Sequence, residues 1–297
     1  MKIVCICEDD TIYNLIRAGL TPEHQVPLVI MPEFGGKRKK KRKLSVGQLP
    51  GKLFSHAFFK LVQRRPRKGK IDQLIHRDDV AVSTDHHSLE PTKEVRMPAQ
   101  KINSKATAQL IADCEPDLMF VCGAPILKES IFSIPKHGSI NFHFGYSPKY
   151  RGHHCLLWPF IHGDYENLAG TFLKIDKGID TGKPLACVYP HIAGSDSIEA
   201  IEIEVAKMAR DHIAPLMSSI PSIKEIDGPE PDKVFNINFT SYTPLVHVKY
   251  FFRVFANRLF RNKTVLRKRD FVSRTWPQDT FSQAQSKSFD RKSLTVE

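Results

Sequence analysis

The sequence predicts an α/β protein on a mostly parallel sheet, and three observations predict it. Short, apolar, β-branched runs recur at Met1–Cys7, Gln25–Met31, Asp117–Cys122, Ser139–Phe142 and Gly170–Ile175. Stretches with apolar residues at helical spacing lie between them. The first run barely alternates, as expected of a strand covered on both faces. Strands alternating with helices in this way build a Rossmann-like sheet with helices on both faces.

Each element has its own signal. Met1–Cys7 is the first strand, and Asp10–Gly19 a short helix closed by glycine. Gln25–Met31 is the second strand, with Pro27 near its start. Asn103 or Ser104 caps a helix carrying Ala108, Leu110, Ile111 and Ala112, which Pro116 ends before the strand Asp117–Cys122. A helix near Lys128–Ile134, the strand Ser139–Phe142, a helix over Cys155–His162 and the strand Gly170–Ile175 follow. A basic insertion at about 33–94 breaks the alternation; within it Phe54, Ala57, Phe58, Leu61 and Val62 recur at helical spacing. After about residue 225 motifs stop. Tyr250–Phe260 is aromatic, basic and helix-like, and the last twenty residues read as disordered. The expected division is a domain over 1–225 and a short helical C-terminal appendage over 226–297.

Composition narrows the class. With 41% hydrophobic and 26% charged residues the 297-residue chain can bury a sizeable core. No apolar run approaches a membrane span. The start, MKIVCICEDD, lacks a basic n-region and an apolar h-region, so no secretory signal and a cytoplasmic location are expected. The six cysteines form no C-x-x-C pair and read as reduced, buried thiols. The net charge of +12 is local: Lys37–Lys70 holds 14 Lys/Arg and Lys249–Arg269 another 8, with no acid in either. Removing those 22 from the 44 basic residues leaves 22 against 32 acidic ones, so the rest of the chain is acidic. No metal is expected, because His86-His87 and His153-His154 are adjacent pairs rather than ligands at i,i+4. No G-x-G-x-x-G turn follows the first strand, which argues against a dinucleotide site.

Ligands in such sheets sit at the carboxyl ends of strands. Three expected strand ends are rich in glycine and polar groups: Gly123-Ala124-Pro125, Asn141-Phe142-His143, and Asp176-Lys177-Gly178-Ile179-Asp180-Thr181-Gly182. Asn141 and His143, two apart on a strand, project from one face. An amide and an imidazole can stabilise an oxyanion, and a carboxylate can orient the imidazole or take a proton. Taken singly, such a His or Asp is more often structural, and the order of all three gives the specificity.

Residues 123–185 resemble the folate-dependent formyltransferases, a family that includes glycinamide ribonucleotide formyltransferase, methionyl-tRNA formyltransferase and the nucleotide-sugar N-formyltransferases. Its pattern N-x-H-x-S-L-L-P-x-x-x-G with a later D-x-G loop is met by Asn141, His143 and Asp180, with Gly145-Tyr146-Ser147-Pro148 in place of S-L-L-P. The resemblance implies the formyltransferase fold and transfer of a formyl group from 10-formyltetrahydrofolate to an amine. Asn141, His143 and Asp180 would be catalytic. Pro125, Ile126, Leu127, Asp176, Gly178 and Ile179 would hold the carrier. Tyr146, Ser147, Tyr150, Arg151 and Gly152 would face the acceptor.

The preferred acceptor is the amino group of a nucleotide-linked sugar used in surface polysaccharide synthesis. Tyr146, Tyr150 and Trp158 would stack on sugar or base and Arg151 would meet a phosphate. The alternatives are initiator tRNA, approached through Lys37–Lys43, and a catalytically inactive folate-binding protein. Lys37–Lys70 and Lys249–Arg269 are candidate contacts for RNA or for an anionic membrane, which would make the protein peripheral at the inner membrane face; a homodimer contact is the third option.

Overall fold

A computed structural model describes residues 1–34, 93–190, 198–220, 233–237, 241 and 243–259. The run Lys37–Lys43, the patterned stretch Lys52–Arg65, His86-His87 and everything after residue 259 lie outside the described residues.

The core is a seven-stranded sheet in the order β3-β2-β1-β4-β5-β7-β8. Its strands are β1 (Lys2–Cys7), β2 (Gln25–Glu33), β3 (Lys93–Pro98), β4 (Leu118–Cys122), β5 (Ser139–His143), β7 (Gly170–Lys174) and β8 (Pro184–Val188). The first five strands of that order run parallel, while β7 lies antiparallel to β5, and β8 antiparallel to β7. Residues of β1 and β4 are almost wholly inaccessible, which explains why both read as continuous apolar runs. Edge strand β3 carries Lys93, Glu94 and Arg96 and leaves most of its residues open, so it carries no strand signal in sequence.

Helices cover both faces. On one, α1 (Asp10–Gly19) and α5 (Ile198–Ser219) pack through Tyr13, Ile16, Ile201, Val205, Ala209 and Ile213 onto Cys5, Phe120 and Phe172. On the other, α2 (Lys105–Ala112) and α3 (Glu129–Phe132) set Ile111 and Ile131 against Val4, Ile30 and Val121. The Asp9 carboxylate caps α1 by accepting from the Ile12 N–H, and the Ser104 hydroxyl caps α2 by accepting from the Thr107 N–H. Of the two cap candidates Ser104 takes the cap; Asn103 instead ties the loop after β4, donating to the Ile126 carbonyl and accepting from the Lys128 N–H.

A second, two-stranded sheet pairs β6 (Tyr150–Gly152) in parallel with β9 (Phe235–Ile237). Phe235–Ile237 thus pack beside the candidate site. Helix α4 (Leu157–His162) lies beside it and carries α6 (Pro244–Leu259), through Leu157, Ile161, Val246 and Tyr250.

Candidate functional site

Strand β5 delivers two of the three expected side chains to one face. Between the two, Phe142 packs on Phe172 in the core, and the period of two turns Asn141 and His143 the other way. The third arrives by a route the sequence does not suggest. Because β7 is antiparallel to β5, it ends beside Ile140, near the start of β5. The segment Ile175–Lys183 therefore folds back along β5 to bring Asp180 to the others. The ends of β4 and β5 share one edge of the sheet and the end of β7 lies at the other, so the loop after β7 must return for Asp180 to reach them. The return is tight. A Cβ on Gly182 would sit 1.7 Å from the Lys174 carbonyl oxygen, and the Lys174 N–H donates to Lys183 O.

The three side chains meet. Asn141 Nδ2 donates to Asp180 Oδ1 at 3.1 Å, and His143 Nδ1 stands 3.4 Å from Asp180 Oδ2. Asp180 Oδ2 also accepts the Gly152 N–H at 3.0 Å. His143 Nε2 lies 3.0 Å from the Tyr150 carbonyl. Both ring nitrogens of His143 therefore face acceptors; a neutral ring has one N–H to give them, a protonated ring two. The His143 side chain is 8% exposed and that of Asp180 13%. Asp180 has φ of 50°, the left-handed region that few residues other than glycine, asparagine and aspartate enter. Its carbonyl is held by the Ser147 hydroxyl, which donates at 2.8 Å.

Most of the expected acceptor-side residues build the site rather than line it. Ser147 and Tyr150 are each 1% exposed. The Tyr150 ring stacks on Phe235 at 5.0 Å, and its hydroxyl donates to Asp164 Oδ2 at 2.9 Å. Burial, then the neighbouring Asp164, raise the Tyr150 phenol far above its ordinary value. Burial would raise Asp164, but bonds from Lys149, Asn167 and Tyr150 hold its carboxyl below the usual range. Gly152 has φ of 99°, and a Cβ there would lie 2.2 Å from the Ile237 carbonyl, so glycine lets β9 close on this turn. Tyr146 is half-buried, 6.4 Å from the Tyr189 ring. Arg151 Nε and Trp158 Nε1 are buried without a hydrogen-bond partner among the described residues.

The two segments expected to hold the carrier lie side by side, joined by an ion pair of 2.9 Å between Lys177 and Glu129. Ile126 and Ile179 project from them, 60% and 52% exposed, while Leu127 is buried. Pro125 is partly covered. The Asp176 carboxylate organises its own turn, accepting from the Gly178 N–H and the Thr181 hydroxyl. Thr171 escaped sequence reasoning. It is wholly buried on β7, donates to Gly145 O at 2.7 Å and accepts the Ser147 N–H, fixing the loop that follows His143. A hydroxyl inside the apolar run Gly170–Lys174 is the signal that marks it.

Cys155 lies against this site, but burial first, and the Asp180 carboxylate second, hold its thiol far above the ordinary value. It is not a ready nucleophile. Among the described residues no group of three or more His, Cys, Asp or Glu could hold a metal ion.

An amide, an imidazole and a carboxylate that meet at one point of an α/β sheet can together stabilise an oxyanion and move a proton. The family model described as formyl transferase matches residues 58–215, more than half of the chain, and the chain belongs to that family. All three side chains fall inside the match. The methionyl-tRNA formyltransferase of Bacteroides thetaiotaomicron is 31% identical over 115 residues, covering 39% of this chain and 35% of that protein. That of Corynebacterium glutamicum is 27% identical over 161 residues, covering 54% of this chain and 50% of that protein. The chain thus spans about half, or less, of the length of these curated relatives. Among solved structures, a 4-N formyltransferase from Francisella tularensis superposes with a TM-score of 0.51 at 13% identity, covering 85% of this chain and 87% of that one, a likeness of fold.

Proposed function

We propose that the protein transfers a formyl group from 10-formyltetrahydrofolate to the amine of a nucleotide-linked amino sugar. The observation that carries the reading is the meeting of Asn141 and His143 on Asp180 at 3.1 and 3.4 Å. Support for the carrier comes from Ile126 and Ile179, apolar and exposed on the two loops assigned to it, which offer surface to a flat pterin.

When bound, the carrier supplies the formyl carbon and leaves as its secondary amine. The acceptor nitrogen forms the new C–N bond and gives up a proton. Asn141 and His143 donate to the oxygen that becomes negative during attack. Asp180 keeps His143 oriented and takes the acceptor's proton, directly or through one water, and that proton passes on to the departing nitrogen of the carrier. No covalent enzyme intermediate is required, in keeping with the inert Cys155.

Tyr146 and Arg151 are assigned here to the acceptor. Among the described residues Arg151 Nε is buried without a hydrogen-bond partner, which supports an anionic acceptor such as a sugar linked to a nucleoside diphosphate. Methionyl-tRNA is the second reading, favoured by the sequence relatives. The decisive experiment is a formyl-transfer assay with 10-formyltetrahydrofolate against nucleotide-linked amino sugars, glycinamide ribonucleotide and charged initiator tRNA. Turnover of a nucleotide sugar is expected. Turnover of tRNA alone would move the acceptor assignment, and folate binding with no turnover on any amine would remove the activity.

A further inference from the structure

Helix α6 has two unlike faces. Val246, Tyr250 and Val254 pack inward, and the Arg253 guanidinium donates to the Ile161 carbonyl at 3.1 and 3.3 Å. The opposite face carries Leu245 at 60% exposure, Val248 at 48%, Phe251 at 53%, Phe252 at 70% and Phe255 at 64%. At about 100° per residue these five fall within an arc of about 120°. Exposed Lys249 borders that arc. The helix is about 24 Å long at its ordinary rise, and no helix among the described residues is long and apolar enough to cross a membrane.

We propose that this face docks on the surface of an anionic phospholipid bilayer, with α6 lying in the interface and its three phenylalanines inserted among the acyl chains. Five large apolar side chains on one stripe suit a hydrocarbon phase. Charge selects the kind of surface: from Lys249 to Arg269 the sequence has 8 Lys/Arg and no acid. A second copy of the chain would bring a further Lys249 to that border, and the sequence from Lys249 to Arg269 offers no acid to pair with it, which disfavours self-association. Nucleic acid would be gripped through cations alone and would leave the five apolar side chains uncovered. Docking on α4 fixes the orientation, so the apolar stripe is presented outward. The inference is independent of which amine is formylated.

The test is co-sedimentation of the full chain with vesicles of phosphatidylcholine alone or mixed with phosphatidylglycerol, in low and high salt, beside a Phe252→Ser/Phe255→Ser double variant. Both positions are exposed, so the variant should keep the wild-type melting curve and formyl transfer. Binding to the anionic vesicles is expected, weakening as salt rises, with the variant at least ~10-fold weaker. Three results would overturn the proposal. One is no pelleting with anionic vesicles at low salt. Another is equal binding by the variant. The third is a concentration-dependent dimer that the variant loses while vesicles remain unbound, which would give the face to a second copy.

Discussion

Asp180 bears the densest set of constraints in the site. Its two carboxylate oxygens serve Asn141, His143 and the Gly152 N–H, its carbonyl serves Ser147, and its φ is 50°. Asparagine tolerates that backbone region and keeps an oxygen for Gly152, but it can neither take a proton nor hold the imidazole by charge. Asp180→Asn is therefore expected to lower kcat by about 10²–10³-fold while the fold is retained, with a melting temperature only modestly lowered by the donor it turns toward Asn141 or Gly152. Steady-state turnover beside thermal melts checks this; an active Asp180→Asn would take the carboxylate out of the mechanism. His143→Ala should fall as far in kcat while circular dichroism shows the fold retained. Asn141 and His143 were legible in the sequence because a strand's period of two is rigid. The work of Ser147 and Tyr150 was not, because a polar side chain reads alike whether it faces a ligand or braces a turn.

At the scale of elements, the site depends on a strand pair that the sequence hides. β6 and β9 have three residues each, too short for periodicity to register. The direction of β7 was equally hidden, since an apolar run carries no sign of parallel or antiparallel pairing. Helix α5 was not expected either, although Ile201, Val205, Ala209, Ile213 and Leu216 recur at helical spacing. The β6–β9 pair makes a sharp prediction at Gly152. Alanine there combines an unfavourable φ with a Cβ 2.2 Å from Ile237 O. Gly152→Ala should cost about 1–3 kcal/mol of stability and, by shifting the N–H that bonds Asp180, should also depress kcat. Urea titration and turnover measure the two effects, and a variant unchanged in both would show that the turn is not strained by β9.

At the scale of the molecule, buried histidines tie stability to pH. His24 and His212, both buried, are each pushed below the ordinary value of 6.5, chiefly by that burial. The unfolded chain then takes up protons at these sites before the folded one does. Their contribution is complete above pH ~6.5 and declines as pH falls below it. Asp164 acts in the same direction at lower pH, because its folded carboxyl is held below the usual range and its contribution disappears on acidification through that range. Urea midpoints should fall between pH 7.5 and 5.5, and a midpoint independent of pH there would contradict the assignment of neutral, buried imidazoles.

The pairing of Tyr150 with Phe235 also has a consequence for the order of synthesis. A ribosome releases Asn141, His143 and Asp180 well before it releases the strand that steadies the turn between them. A chain stalled short of Phe235 would hold every reactive group in an unfinished frame, and it should bind little acceptor and formylate none. Arrested nascent chains of graded length, assayed on the ribosome, should gain activity only once Ile237 has left the exit tunnel.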